Sequence, residues 1–225
     1  MDDNLFAGFI SGIAQTIVGH PLDTIKVWRQ QNIQRSQKLS SIFSGMKYPL
    51  CTAPIVASIQ FKTSAYVSSG IRDVSTFTSV QCDAIGGLFA GIISAIATSP
   101  IDKYKIQMQT KSNKSRYGLS SCILREVPAC GIYFGSYSAL REQGQSVLIS
   151  GGIAGTLSWL FTYPLDIIKT QMQSGESPNI RTTYNKMRTG QISLSKGLGV
   201  CLVRAFLING VGFTVYENCL CIANP

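Results

Sequence analysis

The stretch Gly87–Thr110, GLFAGIISAIATSPIDKYKIQMQT, has two counterparts elsewhere in the chain. One is GFISGIAQTIVGHPLDTIKVWRQQ from Gly8 to Gln31, and the other is GGIAGTLSWLFTYPLDIIKTQMQS from Gly151 to Ser174. The three align without a gap. Glycines stand thirteen and nine residues before a proline: Gly8 and Gly12 before Pro21, Gly87 and Gly91 before Pro100, Gly151 and Gly155 before Pro164. After each proline comes Asp at the second position, Lys at the fifth and Gln at the ninth. Self-similarity of this kind marks a chain built from repeated units that pack on one another.

Weaker apolar segments follow each copy, over about 46–69, 118–141 and 197–222. Two of them share a pattern: Gly118 and Gly197 each precede an Arg by seven, Arg125 and Arg204, and a Tyr follows each Arg by twelve, Tyr137 and Tyr216. The unit is therefore a long helix, a polar connection and a second helix. Three units, 1–75, 76–142 and 143–225, make one domain of the 225 residues. Stretches without Asp, Glu, Lys or Arg run 4–22, 84–101 and 143–165, each close to one bilayer crossing. The expected fold is all-α, with six transmembrane helices in three pseudo-threefold repeats around a central cavity.

Composition agrees with helices that have one lipid face and one wet face. Charged residues are only 14%, below the roughly 25% of soluble domains, yet mean hydropathy is just +0.18. Lys62, Arg125, Glu126 and Arg204 interrupt the second helices, and charges at that depth need water or a partner. The net charge of +9 sits mainly in connections and helix ends, without the interleaved aromatics of a nucleic-acid platform, so no nucleic-acid partner is expected. Seven cysteines, an odd number without metal-ligand spacing, read as free thiols, and neither metal nor cofactor is expected. The acidic opening Met1-Asp2-Asp3 carries no basic presequence, so any address is internal. One His and no nucleophile–base constellation argue against an enzyme.

The glycine pairs, four residues apart, leave a smooth stripe for close helix approach. Pro21, Pro100 and Pro164 fall inside helical runs and are expected to kink them. Asp23/Lys26, Asp102/Lys105 and Asp166/Lys169 lie three apart on one helix face. Read locally they are weak i,i+3 pairs; around a pseudo-threefold axis each Lys reaches the next Asp, and three such pairs form a breakable plug. Gln30, Gln109 and Gln173, one turn on, are expected to brace it.

Pro-x-Asp-x-x-Lys with a trailing Gln, three times over, resembles the signature of the mitochondrial carrier family, and the resemblance covers nearly the whole chain. It implies a monomeric six-helix carrier of the mitochondrial inner membrane, multi-pass, working by alternating access. The Asp/Lys ring becomes the matrix-side gate, with pairs Lys26–Asp102, Lys105–Asp166 and Lys169–Asp23. The repeats here are shorter than the family's, and the deficit falls in the matrix connections. The family's cardiolipin sites depend on short helices in those connections, so they are not expected to persist in full here; the expected partners are membrane lipid and a small-molecule substrate. The third connection, around Thr183–Arg188, has room for such a helix. A second, cytoplasmic gate reads Tyr137-Ser138-Ala139-Leu140-Arg141 and Tyr216-Glu217-Asn218-Cys219-Leu220, and keeps nothing at Thr63–Val67. At most Glu217 pairs with Arg141, so the resting carrier is expected to open on that side.

Matched by the repeat, the family's three substrate contacts fall at Cys51, at Arg125-Glu126 and at Arg204. An acid–base pair inside a cavity suits a zwitterion, the Arg taking a carboxylate and the Glu an ammonium. The strings GHPLDTIKV and REVPACGIYFGSY resemble the carnitine/acylcarnitine and basic amino acid branch. The expected function is transport of an amino acid, carnitine or acylcarnitine, by uniport or antiport. A nucleotide carrier and a non-transporting scaffold of the same fold are the alternatives.

Overall fold

The computed structural model describes residues 3–30, 47–110, 119–173, 179–190 and 198–223. Of residues 21–30, 47–49, 100–110, 170–171, 173, 200 and 223 it describes the backbone alone. Among the described residues every regular element is a helix: α1 (Asp3–Gln30), α2 (Lys47–Val74), α3 (Ser79–Thr110), α4 (Leu119–Glu142), α5 (Val147–Gln173), the short α6 (Ile180–Arg188) and α7 (Leu198–Ala223). The second helices of the three repeats, α2, α4 and α7, begin within a residue of the apolar segments read from sequence. Asp3 sits in the first turn of α1, where a carboxylate complements the helix dipole. The helices run unbroken through positions 21, 100 and 164. The nine-residue α6 occupies the third connection.

The six long helices form a closed ring. Each packs on its neighbours in sequence, and α7 returns to pack on α1. The glycine stripes explain the pairs within each repeat. A side-chain carbon on Gly12 would stand 2.5 Å from the Cα of Pro54, so α1 and α2 touch backbone to backbone. Gly91 meets Val127 of α4 in the same way, at 2.6 Å. Gly151 seats α5 against Asn209 and Phe213 of α7. Polar bonds tie the ring between repeats: Ser11 Oγ donates to the Gly212 carbonyl at 2.7 Å, Gln60 Nε2 to Ser94 Oγ at 2.8 Å, and Ser158 Oγ to the Ala129 carbonyl at 2.8 Å.

The outside of the ring is apolar. Phe6, Phe9 and Ile17 of α1, Leu88, Phe89, Ile92 and Ile96 of α3, Leu148, Leu160 and Phe161 of α5, and Val203 and Leu207 of α7 are all exposed. Soluble monomers do not leave a belt of this extent in water. Among the described residues two stretches reach, by length and composition, the apolarity of a membrane span, Ser79–Ser99 and Cys201–Ile222. The other long helices are diluted by Gly, Ser, Thr and charged residues, so apolarity alone marks two stretches where the repeat leads one to expect six transmembrane helices.

Candidate functional site

A cavity of about 130 Å³ lies inside the ring, lined from α1, α2, α4, α5 and α7. Its charged wall is Arg125 and Glu126 on α4, and Trp159, Ser158 and Gly155 come from α5. Consecutive residues on a helix point about 100° apart, so Arg125 and Glu126 reach different neighbours. The two are hydrogen-bonded to each other through Arg125 Nη1 and Glu126 Oε1. Arg125 Nε stands 3.6 Å from Asp166 Oδ1, and Lys169 Nζ stands 3.6 Å from Glu126 Oε1. The Arg125 guanidinium lies over the Trp159 ring, 4.9 Å from its centroid. Glu126 is buried. Four alternating charges thus join α4 to α5, and each acid faces two bases or a base it shares, which is how such groups are tolerated away from water.

Asp166 and Lys169 were assigned to Lys105 and Asp23, whose side chains lie outside the described residues; among the described residues they also reach the Arg125–Glu126 pair of the adjacent helix. The gate residues of repeat three and the acid–base pair therefore belong to one network. The side chains of Asp23, Lys26, Gln30, Asp102, Lys105, Gln109 and Gln173, and of Pro21 and Pro100, lie outside the described residues. Pro164 falls inside α5, half-buried.

Two other expectations need correction. Cys51 is exposed and is not among the residues lining the cavity. Its assignment rested on matching Thr63 to Tyr137. The structure sets a different register: Phe61, Phe134 and Phe213 meet as a triad, with ring centroids 5.6, 5.4 and 6.1 Å apart and all three pairs edge to face. Counting back nine residues from each gives Thr52, Arg125 and Arg204, one residue and about 100° of helix rotation away from Cys51. Arg204 itself is directed to α1, where a carbon on Gly19 would stand 4.0 Å from its Nη2, and it too is not among the lining residues.

The second correction concerns the end near the chain termini. It is filled by aromatic rings, not open. Phe61, Phe134, Phe213 and Tyr216 are buried together, Phe61 stacks on Tyr216 at 3.9 Å, and Tyr137 stacks on Phe213 at 3.6 Å. Tyr133 joins them and, with Phe61, also lines the cavity. Outside this layer Tyr137 donates to Glu217, Arg141 Nη2 lies 3.6 Å from Glu217 Oε2, and Tyr216 donates to Asn4 Oδ1 at 2.7 Å. The triad was missed because one Phe among many apolar residues carries no obvious signal. The usable one was the repeat: Phe134 and Phe213 each stand three residues before the Tyr already aligned.

The fold and site define a bundle of three related helix pairs around a charged cavity. The model of the mitochondrial carrier protein family matches residues 77–123 and 141–222, and the chain belongs to that family. It is 30% identical to the mitochondrial arginine transporter BAC2 of Arabidopsis thaliana, over 97% of this chain and 90% of that protein. It is 28% identical to the mitochondrial glycine transporter YMC1 of Saccharomyces cerevisiae (95% of this chain, 89% of that one). It is 26% identical to the mitochondrial basic amino acids transporter of Rattus norvegicus (93% and 86%). The alignment with the plant protein runs over 268 positions against 225 in this chain, so the relative carries residues that this chain lacks. Members of the family are transporters, not enzymes.

Proposed function

We propose that the protein carries an amino acid across the mitochondrial inner membrane by alternating access, its six long helices spanning the bilayer. The observation that carries this reading is the buried Arg125–Glu126 pair facing the cavity. Arg125 offers a guanidinium to a carboxylate, and Glu126 offers a carboxylate to an ammonium. Arg125, Glu126, Asp166 and Lys169 neutralise one another when the cavity holds no solute. A zwitterion supplies the same two charges, so it replaces the contacts to α5 without stranding a buried charge. Release of Asp166 and Lys169 from Arg125 and Glu126 loosens the hold of α4 on the end of α5. Each ion pair of the network thus has two alternative partners, the property a gate needs. The apolar belt on the outer face of the ring supports placement in lipid, and the relatives' names support the substrate class.

Uptake into proteoliposomes tests this. Labelled amino acids, carnitine and ADP are offered to the purified chain, with and without internal amino acid. The expected result is saturable amino-acid uptake that Arg125→Ala and Glu126→Gln abolish. Uptake of ADP or carnitine alone, or of nothing in the panel, overturns the proposal and favours the nucleotide, carnitine or scaffold reading respectively.

A further inference from the structure

Besides Arg125 and Glu126 the cavity is lined by three amides, Gln15 on α1, Gln60 on α2 and Asn209 on α7. Two glycines make room for them. A side-chain carbon on Gly155 would overlap the Asn209 amide, and one on Gly212 would overlap the Gln15 amide. The bonds these amides make within the protein have a direction. Asn209 Nδ2 donates to the Ala205 carbonyl at 2.8 Å. A carbonyl accepts and cannot donate, so this bond fixes which end of the amide is oxygen. Gln60 Nε2 donates to Ser94 Oγ at 2.8 Å and lies 3.7 Å from Cys130 Sγ. Each nitrogen thus has at least one bond to protein, while among the described residues no donor is bonded to Asn209 Oδ1 or Gln60 Oε1.

We propose that these two oxygens, with the Gln15 amide that lines the same cavity, form an acceptor pole that reads the side chain of the transported amino acid. The class selected is an α-amino acid whose side chain bears N–H donors: a carboxamide, an ammonium or a guanidinium. The inference rests on the amino-acid reading of the cavity, in which Arg125 and Glu126 hold the main-chain carboxylate and amine. Selection comes from what an aliphatic side chain leaves behind. Acceptors desolvated by the solute and given no donor make the wrong solute costly, and this rejects an analogue far more sharply than a misfit of one methylene does. Because amide oxygens carry only partial charge, the pole accepts neutral and cationic donors alike.

The test compares proteoliposome uptake of glutamine and arginine with that of norleucine, which has similar reach and no donor. The expected result is a preference of about tenfold or more for the donor-bearing side chains. In Asn209→Leu/Gln60→Leu the ratio of glutamine to norleucine falls toward one, with detergent thermal unfolding as the folding control. In Asn209→Asp, which keeps an acceptor of the same shape and adds a charge, the ratio of arginine to glutamine rises several-fold. Norleucine carried as well as glutamine by the wild-type protein overturns the acceptor pole while leaving the carrier reading intact. An unchanged ratio in the folded variants does the same. No uptake of any α-amino acid overturns both.

Discussion

Lys169 of α5 stands 3.6 Å from Glu126 of α4, so a residue of the repeated Pro-x-Asp-x-x-Lys motif shares its counter-ion with the acid–base pair of the cavity. Glu126 is at the same time paired with Arg125, which reaches Asp166. Any solute that engages Glu126 or Arg125 competes directly with the motif.

This coupling is measurable. Glu126→Gln removes the acid shared by Arg125 and Lys169 and leaves two bases facing each other. We expect destabilisation of about 3–5 kcal/mol, the range for breaking one side of a buried pair. Adding Lys169→Gln should recover part of that loss, and a double-mutant cycle by thermal unfolding in detergent should give a coupling of about 0.5–3 kcal/mol. Strict additivity would show that the pair contributes nothing.

Trp159 holds the Arg125 guanidinium from its π face. Trp159→Leu keeps an apolar body and removes that attraction, worth about 0.5–2 kcal/mol. The expected outcome is a rise of several-fold in the KM for uptake with a smaller change in maximal rate. A variant with unchanged KM would remove Trp159 from the site.

The Phe61–Phe134–Phe213 triad closes the half of the ring near the termini. Truncating any of the three to Ala should cost about 3–5 kcal/mol as a core cavity. The readout specific to closure is Cys130, buried on the cavity side of the triad. In a variant keeping Cys130 alone, a membrane-impermeant maleimide added on the termini side should label slowly. Phe61→Ala should speed labelling at least about tenfold, by analogy with a local opening made easier by 1.4 kcal/mol. Equal rates would mean that the rings are packing without being a barrier.

The glycine contacts admit no side chain. Gly91→Val pushes α3 away from α4, and overpacking of this kind costs about 1–3 kcal/mol. Gly70→Val serves as the control, since nothing lies within 4 Å of that position. Thermal unfolding of the two variants side by side decides whether backbone contact holds the repeat together.

The repeat made the helix pairs legible, because glycine spacing and apolar length are local properties of a chain. It made the charged residue types of the site legible too: Arg125 and Glu126 were singled out as charges interrupting an apolar run, and Asp166 and Lys169 by the motif after Pro164. Their partners were not, since a partner depends on how α4 and α5 turn toward each other, and threefold reasoning treats every repeat as equivalent. Cys51 failed through a slip of a single residue in α2, where the Tyr that anchors the other two repeats is replaced by Ser64. The amide wall stayed invisible for a further reason. Gln15, Gln60 and Asn209 occupy different positions in their repeats, and only the closed ring brings them to one cavity.

That ring has a seam between its first and last helices, stitched by Ser11 to Gly212 and by Tyr216 to Asn4. The two helices lie at opposite ends of the chain, so α1 is made long before α7 exists to receive it. Until then its hydroxyl and amide have no companion from the far end of the chain, and the early helices form an unfinished arc. Closure of the ring thus depends on its last helix, and damage to α7 would leave faces of both α1 and α5 uncovered.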